Sequence, residues 1–282
     1  MKHYFLNKKN QAILGDNFKV GDGVFNITQR EYESLNLTAE EKKIVKPFYT
    51  TTELHRFYGT NKNRLWVIYT DSSFNNAEKI EPYPNLKEHL DKFQEVITSS
   101  NKPYGLHRAR EEKFFNGEKI ISLRKCARPT FTFTDFDCYV SQTYFSIQTE
   151  RLNQRYLTGL LNSNLLAFWL KYQGKMQGDL YQVDKEPLMS LPIVNPKVEI
   201  QEKVAALVSS IISNTQKTSD YQELLNKAKT ENNFDREIQL TKELEQLATE
   251  LEKAESKINS IIYELYEIEP NEIATIEKNI NL

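Results

Sequence analysis

Hydrophobic and polar positions keep two different rhythms along the chain, and the change falls near Pro196. Behind it, Leu240, Leu244, Leu247, Leu251, Ala254, Ile258, Ile261 and Leu265 recur at alternating spacings of four and three, with Glu, Lys and Gln between them. A seam sustained in this way predicts a coiled-coil helix rather than a general amphipathic one. An earlier helix is predicted over residues 199–215, with Val204, Leu207, Val208, Ile211 and Ile212 on one face, and residues 221–229 continue it. The polar run "TENNFD" at 230–235 is where the chain can reverse, so the two helices are predicted to pack antiparallel.

Ahead of Pro196 the apolar positions alternate in short runs: "RLWVIYT" (64–70), "KIISLR" (119–124), "TFTFTDF" (130–136) and "YVSQTYFSI" (139–147). Rich in β-branched and aromatic residues, they read as strands, and the last two lie close enough to predict an antiparallel hairpin through Asp137. Helices are predicted at 85–97 and in the opening segment. The most apolar stretch, "YLTGLLNSNLLAFWL" (156–170), carries Asn162, Ser163 and Asn164 in its middle. A membrane span needs about 20 apolar residues and does not tolerate such a triplet without partners. At helical spacing, Leu157, Leu160, Leu161, Leu165, Phe168 and Trp169 share a face, which predicts a core helix. Asn162 and Ser163 turn away from that face, whereas Asn164 enters it and needs a hydrogen-bond partner. The expected fold class is α+β: a mixed, largely antiparallel sheet with bracing helices, followed by a two-helix antiparallel coiled-coil extension.

The near-neutral net charge of -2 hides an asymmetry. Residues 1–196 hold 27 Lys and Arg against 22 Asp and Glu, and residues 197–282 hold 10 against 17. A basic front suggests an anionic partner and an acidic back a solvated or protein-facing element. The opening residues lack the apolar core of a signal peptide, so a cytoplasmic location is expected. Cys126 and Cys138 have neither metal-ligand spacing nor paired histidines, and read as ordinary strand residues.

No catalytic constellation stands out. His3, His55, His89 and His107 are scattered, and "VGDGVF" (20–25) has a G-x-G without the third glycine, which favours a tight turn over a dinucleotide cradle. The sharpest signal is "NKPYGLHRAREEKFFNGEKIISLRKCAR" (101–128), with Lys102, Arg108, Arg110, Lys113, Lys119, Arg124, Lys125 and Arg128 set against Glu111, Glu112 and Glu118. Cations interleaved with Tyr104, His107, Phe114 and Phe115 suit nucleic acid, where charges meet phosphates or guanine edges and rings stack. The same run also reads as a solvated face around a buried strand. Glu111 and Lys113 form an E-x-K triplet that, with an upstream acid, would be half of a metal-dependent nuclease site; the nearest upstream Asp, Asp91, falls in a predicted helix.

Six segments in order carry a resemblance: "IVKPFYTTTELHRFYG" (44–59), "RLWVIYT", "YPNLKEHLDKF" (83–93), "KPYGLHRAR" (102–110), "GEKIISLRKCARPTFTFTDFDCYVSQTYFSI" (117–147), and "YLTGLLNSNLLAFWL" with "LMSLPI" (188–193). Together they resemble the TaqI-like C-terminal specificity domain, the target-recognition domain of adenine-N6 DNA methyltransferases and type IIG restriction-modification enzymes. The tail "INSIIYELYEIEPNEIATIEK" (258–278) is similar to the end of recognition modules in type I specificity subunits, where a helix pair serves as spacer and docking element.

The resemblance implies a leader at 1–14, a DNA target-recognition domain at 15–196 and a helical hairpin at 197–282. Neither the glycine-rich S-adenosylmethionine loop nor the [ND]PP[YF] motif of the methylase half occurs, and Asn195-Pro196-Lys197 lacks the second proline and the aromatic. The implied role is recognition. No cofactor is expected on this chain, and S-adenosylmethionine, with magnesium where DNA is cleaved, belongs to a catalytic domain or subunit. The expected partners are double-stranded DNA and that methyltransferase, with no membrane; the chain is expected to be an excised C-terminal portion or a split specificity subunit.

Arg108, Arg110, Arg124 and Arg128 are the candidates for base-edge or phosphate contacts, and Lys102, Lys113, Lys119 and Lys125 for phosphate neutralisation. Tyr104 and His107 supply rings. "GKMQGDLYQV" (174–183) is a second candidate surface, a loop offering Lys175 and Gln177. The alternative is an interaction scaffold that dimerises through the heptad seam.

Overall fold

Alternating runs become strands and heptad-spaced runs become helices in the computed structural model, which describes residues 5–280. His3 and the first four residues of the expected leader lie outside that range. The chain begins with α1 (Lys8–Leu14), β1 (Asn26–Thr28), α2 (Gln29–Ser34), α3 (Ala39–Ile44), β2 (Val45–Tyr49), β3 (Phe57–Tyr58), β4 (Leu65–Ile68) and α4 (Pro84–Asp91). There follow β5 (Lys119–Leu123), β6 (Lys125–Cys126), β7 (Phe131–Thr134), β8 (Tyr139–Val140), β9 (Tyr144–Ile147), α5 (Gln154–Leu161) and α6 (Asn164–Gln173). Last come β10 (Lys175–Gln177), β11 (Leu180–Gln182), α7 (Lys185–Met189), α8 (Val198–Thr230), α9 (Phe234–Leu265) and α10 (Pro270–Ile280). The class is α+β with mainly antiparallel pairing, and the strands gather in three small sheets. No helix among the described residues is long and apolar enough to cross a membrane.

The chain folds into two units, and neither is a continuous stretch. The first takes the residues up to Glu53, then Asn61–Gly117 and Phe136–Tyr144; the second takes Leu54–Thr60, Glu118–Asp135 and everything from Phe145 onward. In the first unit the sheet order is β1-β4-β2-β8, with β8 parallel to β2 and the other pairs antiparallel. Val67 and Ile68 of β4 point to opposite faces and are both fully buried, so the sheet is covered on both sides. The carboxylate of Glu41, also buried, closes a capping box with Thr38 and accepts the Asn85 and Leu86 backbone N–H groups at the start of α4. Burial alone would raise its pKa, but the hydrogen bonds from Thr38, Asn85 and Leu86 outweigh it and hold the group below the usual carboxylate range.

The second unit contains the sheet β3-β7-β5-β9 and the sheet β10-β11-β6. The hairpin expected through Asp137 does not form. β7 pairs antiparallel with β5 (Ile120 opposite Phe133), whereas β8 joins the first unit's sheet beside β2. Residues 135–138 offer no Gly or Asn for the positive φ that a tight hairpin turn requires. The run 139–147 is likewise split by a turn into β8 and β9.

The apolar stretch 156–170 is two helices, not one. Asn162 caps the C-terminus of α5, and Ser163 caps the N-terminus of α6 by accepting the Leu166 N–H at 3.3 Å. All three polar residues of the triplet are buried. The Asn162 amide accepts from the Phe131 N–H (3.1 Å) and donates to the Phe131 carbonyl (2.7 Å), the pair of bonds that a neighbouring strand would supply to β7. Asn164 finds the partners its position demands: Arg128 donates to its carbonyl at 2.7 Å, its amide donates to Glu277 at 2.9 Å, and its backbone N–H donates to Asn259 at 2.8 Å.

The two long helices run as the heptad pattern predicts. α8 continues to Thr230, residues 231–233 reverse the chain, and Asn233 caps α9. Leu225 and Ala228 meet Leu240 near the turn, while Val204, Val208 and Ile211 share a core with Ile258 and Ile262 at the other end, which fixes the antiparallel sense. The seam of α9 is thus filled within the chain. α5 packs against this pair at Gly159, where an added Cβ would come within 2.6 Å of Val204 Cγ1. A valine in a helix has one favoured rotamer and yields little. Gly159→Ala is therefore expected to lower stability by about 1–3 kcal/mol from overpacking, despite the gain in helix propensity, read as a fall in the denaturant midpoint.

Candidate nucleic-acid interface

The basic segment 101–128 is divided between the units, since the first ends a stretch at Gly117 and the second resumes at Glu118. In the first unit, Lys102 and Arg108 are exposed, and Arg108 sits on a left-handed backbone with φ 55°. His107 is half-buried with its Nδ1 3.4 Å from the Ser100 hydroxyl. Tyr104 is buried, and its hydroxyl donates to Asp91 at 2.7 Å. Burial and that carboxylate push its pKa up to about 12, and the ring has no free face for a base. Arg110 directs both terminal nitrogens at the Tyr144 carbonyl, each at 3.2 Å, so it ties the unit together rather than reaching out. Lys113 is exposed beside Glu111 and lies 5.2 Å from the Phe114 ring centroid.

The acidic residues considered for metal chemistry are engaged elsewhere. Glu111 pairs with Lys113, Glu112 pairs with Lys46 at 2.9 Å and accepts from Tyr139, and Asp91 holds Tyr104. Among the described residues no cluster of three or more His, Cys, Asp or Glu is placed to hold a metal ion.

In the second unit the structure corrects two expectations about position. Lys119 is fully buried in β5, out of reach of a phosphate. Arg128 is bound to Asn164 and lines a groove whose other walls carry Glu252, Glu255, Glu264 and Glu277. A phosphate approaching that guanidinium would meet carboxylates first. Arg128 is thus a structural cation at the α5–α6 junction.

What the fold brings together is the other end of the segment and the second candidate surface. Residues 174–183 are a β-hairpin, not a loop: β10 and β11 pair antiparallel across Gly178-Asp179, with Gly178 at φ +60° as a turn with glycine in its first position requires. β6 adds on the far side of β11. In this register Lys175, Gln182 and Lys125 are direct cross-strand neighbours and share one face. Both lysines are exposed and Gln182 is half-buried. Met176, Tyr181 and Cys126 form the opposite row; Tyr181 and Cys126 enter the core, and burial pushes the Cys126 thiol up to about 11. The ribbon therefore has one face anchored and one face presented, with Gln177 exposed next to its tip.

Arg124, next to β6, lies 5.1 Å from the centroid of the Phe145 ring and pairs with Asp184 at 2.9 Å. Gln182 donates to the other oxygen of Asp184 at 2.7 Å, and Lys175 stands 4.0 Å away. The Arg124 guanidinium, with help from Gln182, holds the Asp184 carboxyl below the usual carboxylate range. Gln182 and Asp184 were not among the residues singled out from the sequence. The signal was there in the alternation of "KMQGDLYQ" about a Gly-Asp turn, which places residues 175 and 182 opposite each other once it is read as a hairpin.

A family model, the TaqI-like C-terminal specificity domain, matches residues 46–193, a little over half of the chain and the part that contains this ribbon. The chain is also similar to the type II methyltransferase M.HincII of Haemophilus influenzae, 24% identical over 233 residues. That match covers 74% of this chain and 45% of the relative, so the chain spans less than half of that protein's length.

Ribbon lysines and buried anchors should respond differently to substitution. Lys125→Ala and Lys175→Ala remove exposed side chains and are expected to shift unfolding by no more than about 0.5 kcal/mol. Tyr104→Phe removes a hydrogen bond to a carboxylate and is expected to cost about 1–2 kcal/mol, measured by denaturant titration.

Proposed function

The chain belongs to the family of TaqI-like C-terminal specificity domains, and on that premise we propose that it is a sequence-specific DNA recognition module of a restriction-modification methyltransferase. It selects the site at which a catalytic domain or subunit methylates adenine at N6, in an enzyme of the adenine-N6 methyltransferase or type IIG kind. The observation that carries the reading is the ribbon β10-β11-β6, where residues from two distant segments form one basic, exposed face on an otherwise anchored sheet. The major groove of B-DNA admits a two-stranded β-ribbon, and Arg, Lys and Gln are the side chains that make paired contacts to guanine and adenine edges.

In this reading the mechanism is binding. Lys125 and Lys175 neutralise phosphates, and Arg124 and Gln177 with Gln182 meet base edges; in the first unit, taken by itself, Lys102, Arg108 and Lys113 are exposed candidates for phosphate contact. The adenine-N6 chemistry, S-adenosylmethionine and any magnesium belong to the catalytic partner, and the helical hairpin α8–α9 serves as spacer and docking element towards it. The scaffold reading is less favoured, because Leu240 is already buried against Leu225 and Ala228 of the chain's own α8. A cytoplasmic location goes with a DNA substrate.

The test is a titration of labelled duplexes with the full chain, alone and with any methyltransferase found to copurify with it, at several salt concentrations. Affinity is expected to fall with salt on a log–log plot with a slope of about -0.9 per phosphate neutralised, and Lys125→Ala or Lys175→Ala to reduce that slope by about one. Binding that is indifferent to salt would overturn the phosphate roles.

A further inference from the structure

Asp184 stands at the N-cap position of α7, where an aspartate ordinarily accepts the helix's first free N–H groups. Its carboxylate makes no such bond. Each oxygen is given instead to a side chain on the presented region of the ribbon, one to Arg124 at 2.9 Å and the other to the Gln182 amide at 2.7 Å. Phe145 lies under the guanidinium. Two flexible side chains thus share a single anchor, and the anchor sets what each of them shows outward. Because the Gln182 Nε2 donates to Asp184, its carbonyl oxygen and one remaining N–H stay available. Arg124 spends one terminal nitrogen on the carboxylate and keeps the rest of its fork.

We propose that Asp184 is a positioning residue that holds Arg124 and Gln182 as the base-reading pair of the ribbon, Arg124 for a guanine and Gln182 for a nearby adenine, while Lys125 and Lys175 on either side of Gln182 contact phosphates. The inference rests on the DNA-recognition reading given above and deepens it by separating readout from neutralisation. The chemistry follows from the groups presented. A guanidinium fork matches the two acceptors of guanine, O6 and N7, and an amide offering one acceptor and one donor matches adenine N6 and N7. Fixing both side chains before DNA arrives removes rotamer entropy that binding would otherwise have to overcome. The two lysines flank Gln182 in the same cross-strand row, and a lysine ammonium is a point charge suited to a phosphate rather than to a base edge.

The experiment is selection of bound duplexes from a randomised pool by the full chain, alone and with any methyltransferase found to copurify with it, followed by sequencing and by competition binding. The wild-type chain is expected to enrich a defined motif. Asp184→Asn keeps the size and the capping ability of the residue but replaces one acceptor with a donor. It is expected to relax the preference at one or two base pairs by about ten- to a hundredfold, while affinity for unrelated duplex does not fall, because losing a carboxylate beside Arg124 and Lys175 leaves the face more positive. Gln182→Leu should lose the preference at a single A·T pair, and Lys125→Ala and Lys175→Ala should weaken all sequences alike with the motif intact. An enriched motif that Asp184→Asn and Gln182→Leu both leave unchanged would overturn this inference alone. A wild-type chain that enriches no motif would overturn the recognition reading and this inference with it.

Discussion

Asn162, Ser163 and Asn164 enter the core of the second unit as polar side chains, and a buried amide left without partners costs more than most apolar contacts return. Meeting that demand organises much of the unit. Asn162 takes the place of a strand beside Phe131 and accepts no substitute of another shape, because both its carbonyl and its amide are used. Ser163 begins α6. Asn164 draws Arg128 from the segment before β7, Asn259 from α9 and Glu277 from α10 to one point. Tyr263 donates to the same Glu277 at 2.6 Å, and Arg56 reaches the Asn162 carbonyl at the same distance while pairing with Glu255. A sheet, a helix break and the helical hairpin are thus held in register by hydrogen bonds whose geometry apolar packing alone would not specify.

This polar knot also marks the limit of what the sequence discloses. The heptads of α9, the reversal after Thr230 and the strands β4, β5 and β7 are legible because each depends on local periodicity. The helix break at Asn162 was invisible to a periodicity argument, since the apolar residues on either side fit one continuous face. The requirement that Asn164 find a partner was legible, but its identity was not, because Glu277 lies far along the chain. The missing hairpin at Asp137 teaches the converse. Proximity in sequence suggested pairing, but the turn chemistry was absent and the strands went to different sheets.

The candidate site shows the same division. Charge density picked out residues 101–128 as one patch, yet charge counts carry no information about burial. Lys119 is enclosed, Arg110 and Arg128 are occupied inside the fold, and only part of the patch remains presented. The row Lys175, Gln182, Lys125 arises from strand register, which joins positions that no window along the chain contains together. Asp184 adds orientation to that row by gripping two of the polar side chains beside it.

The two units are threaded through each other in sequence, three stretches to each. Neither can be inherited, expressed or exchanged as a single continuous cassette, and a recombination breakpoint between residues 54 and 144 would divide both at once. A lineage that must change its target while keeping this fold is thereby steered towards point substitutions on the presented face of a short ribbon, where Cys126 and Tyr181 keep the anchored face in place. On the proposed reading, the ribbon's presented face can change residue by residue, whereas neither unit can be exchanged without part of the other.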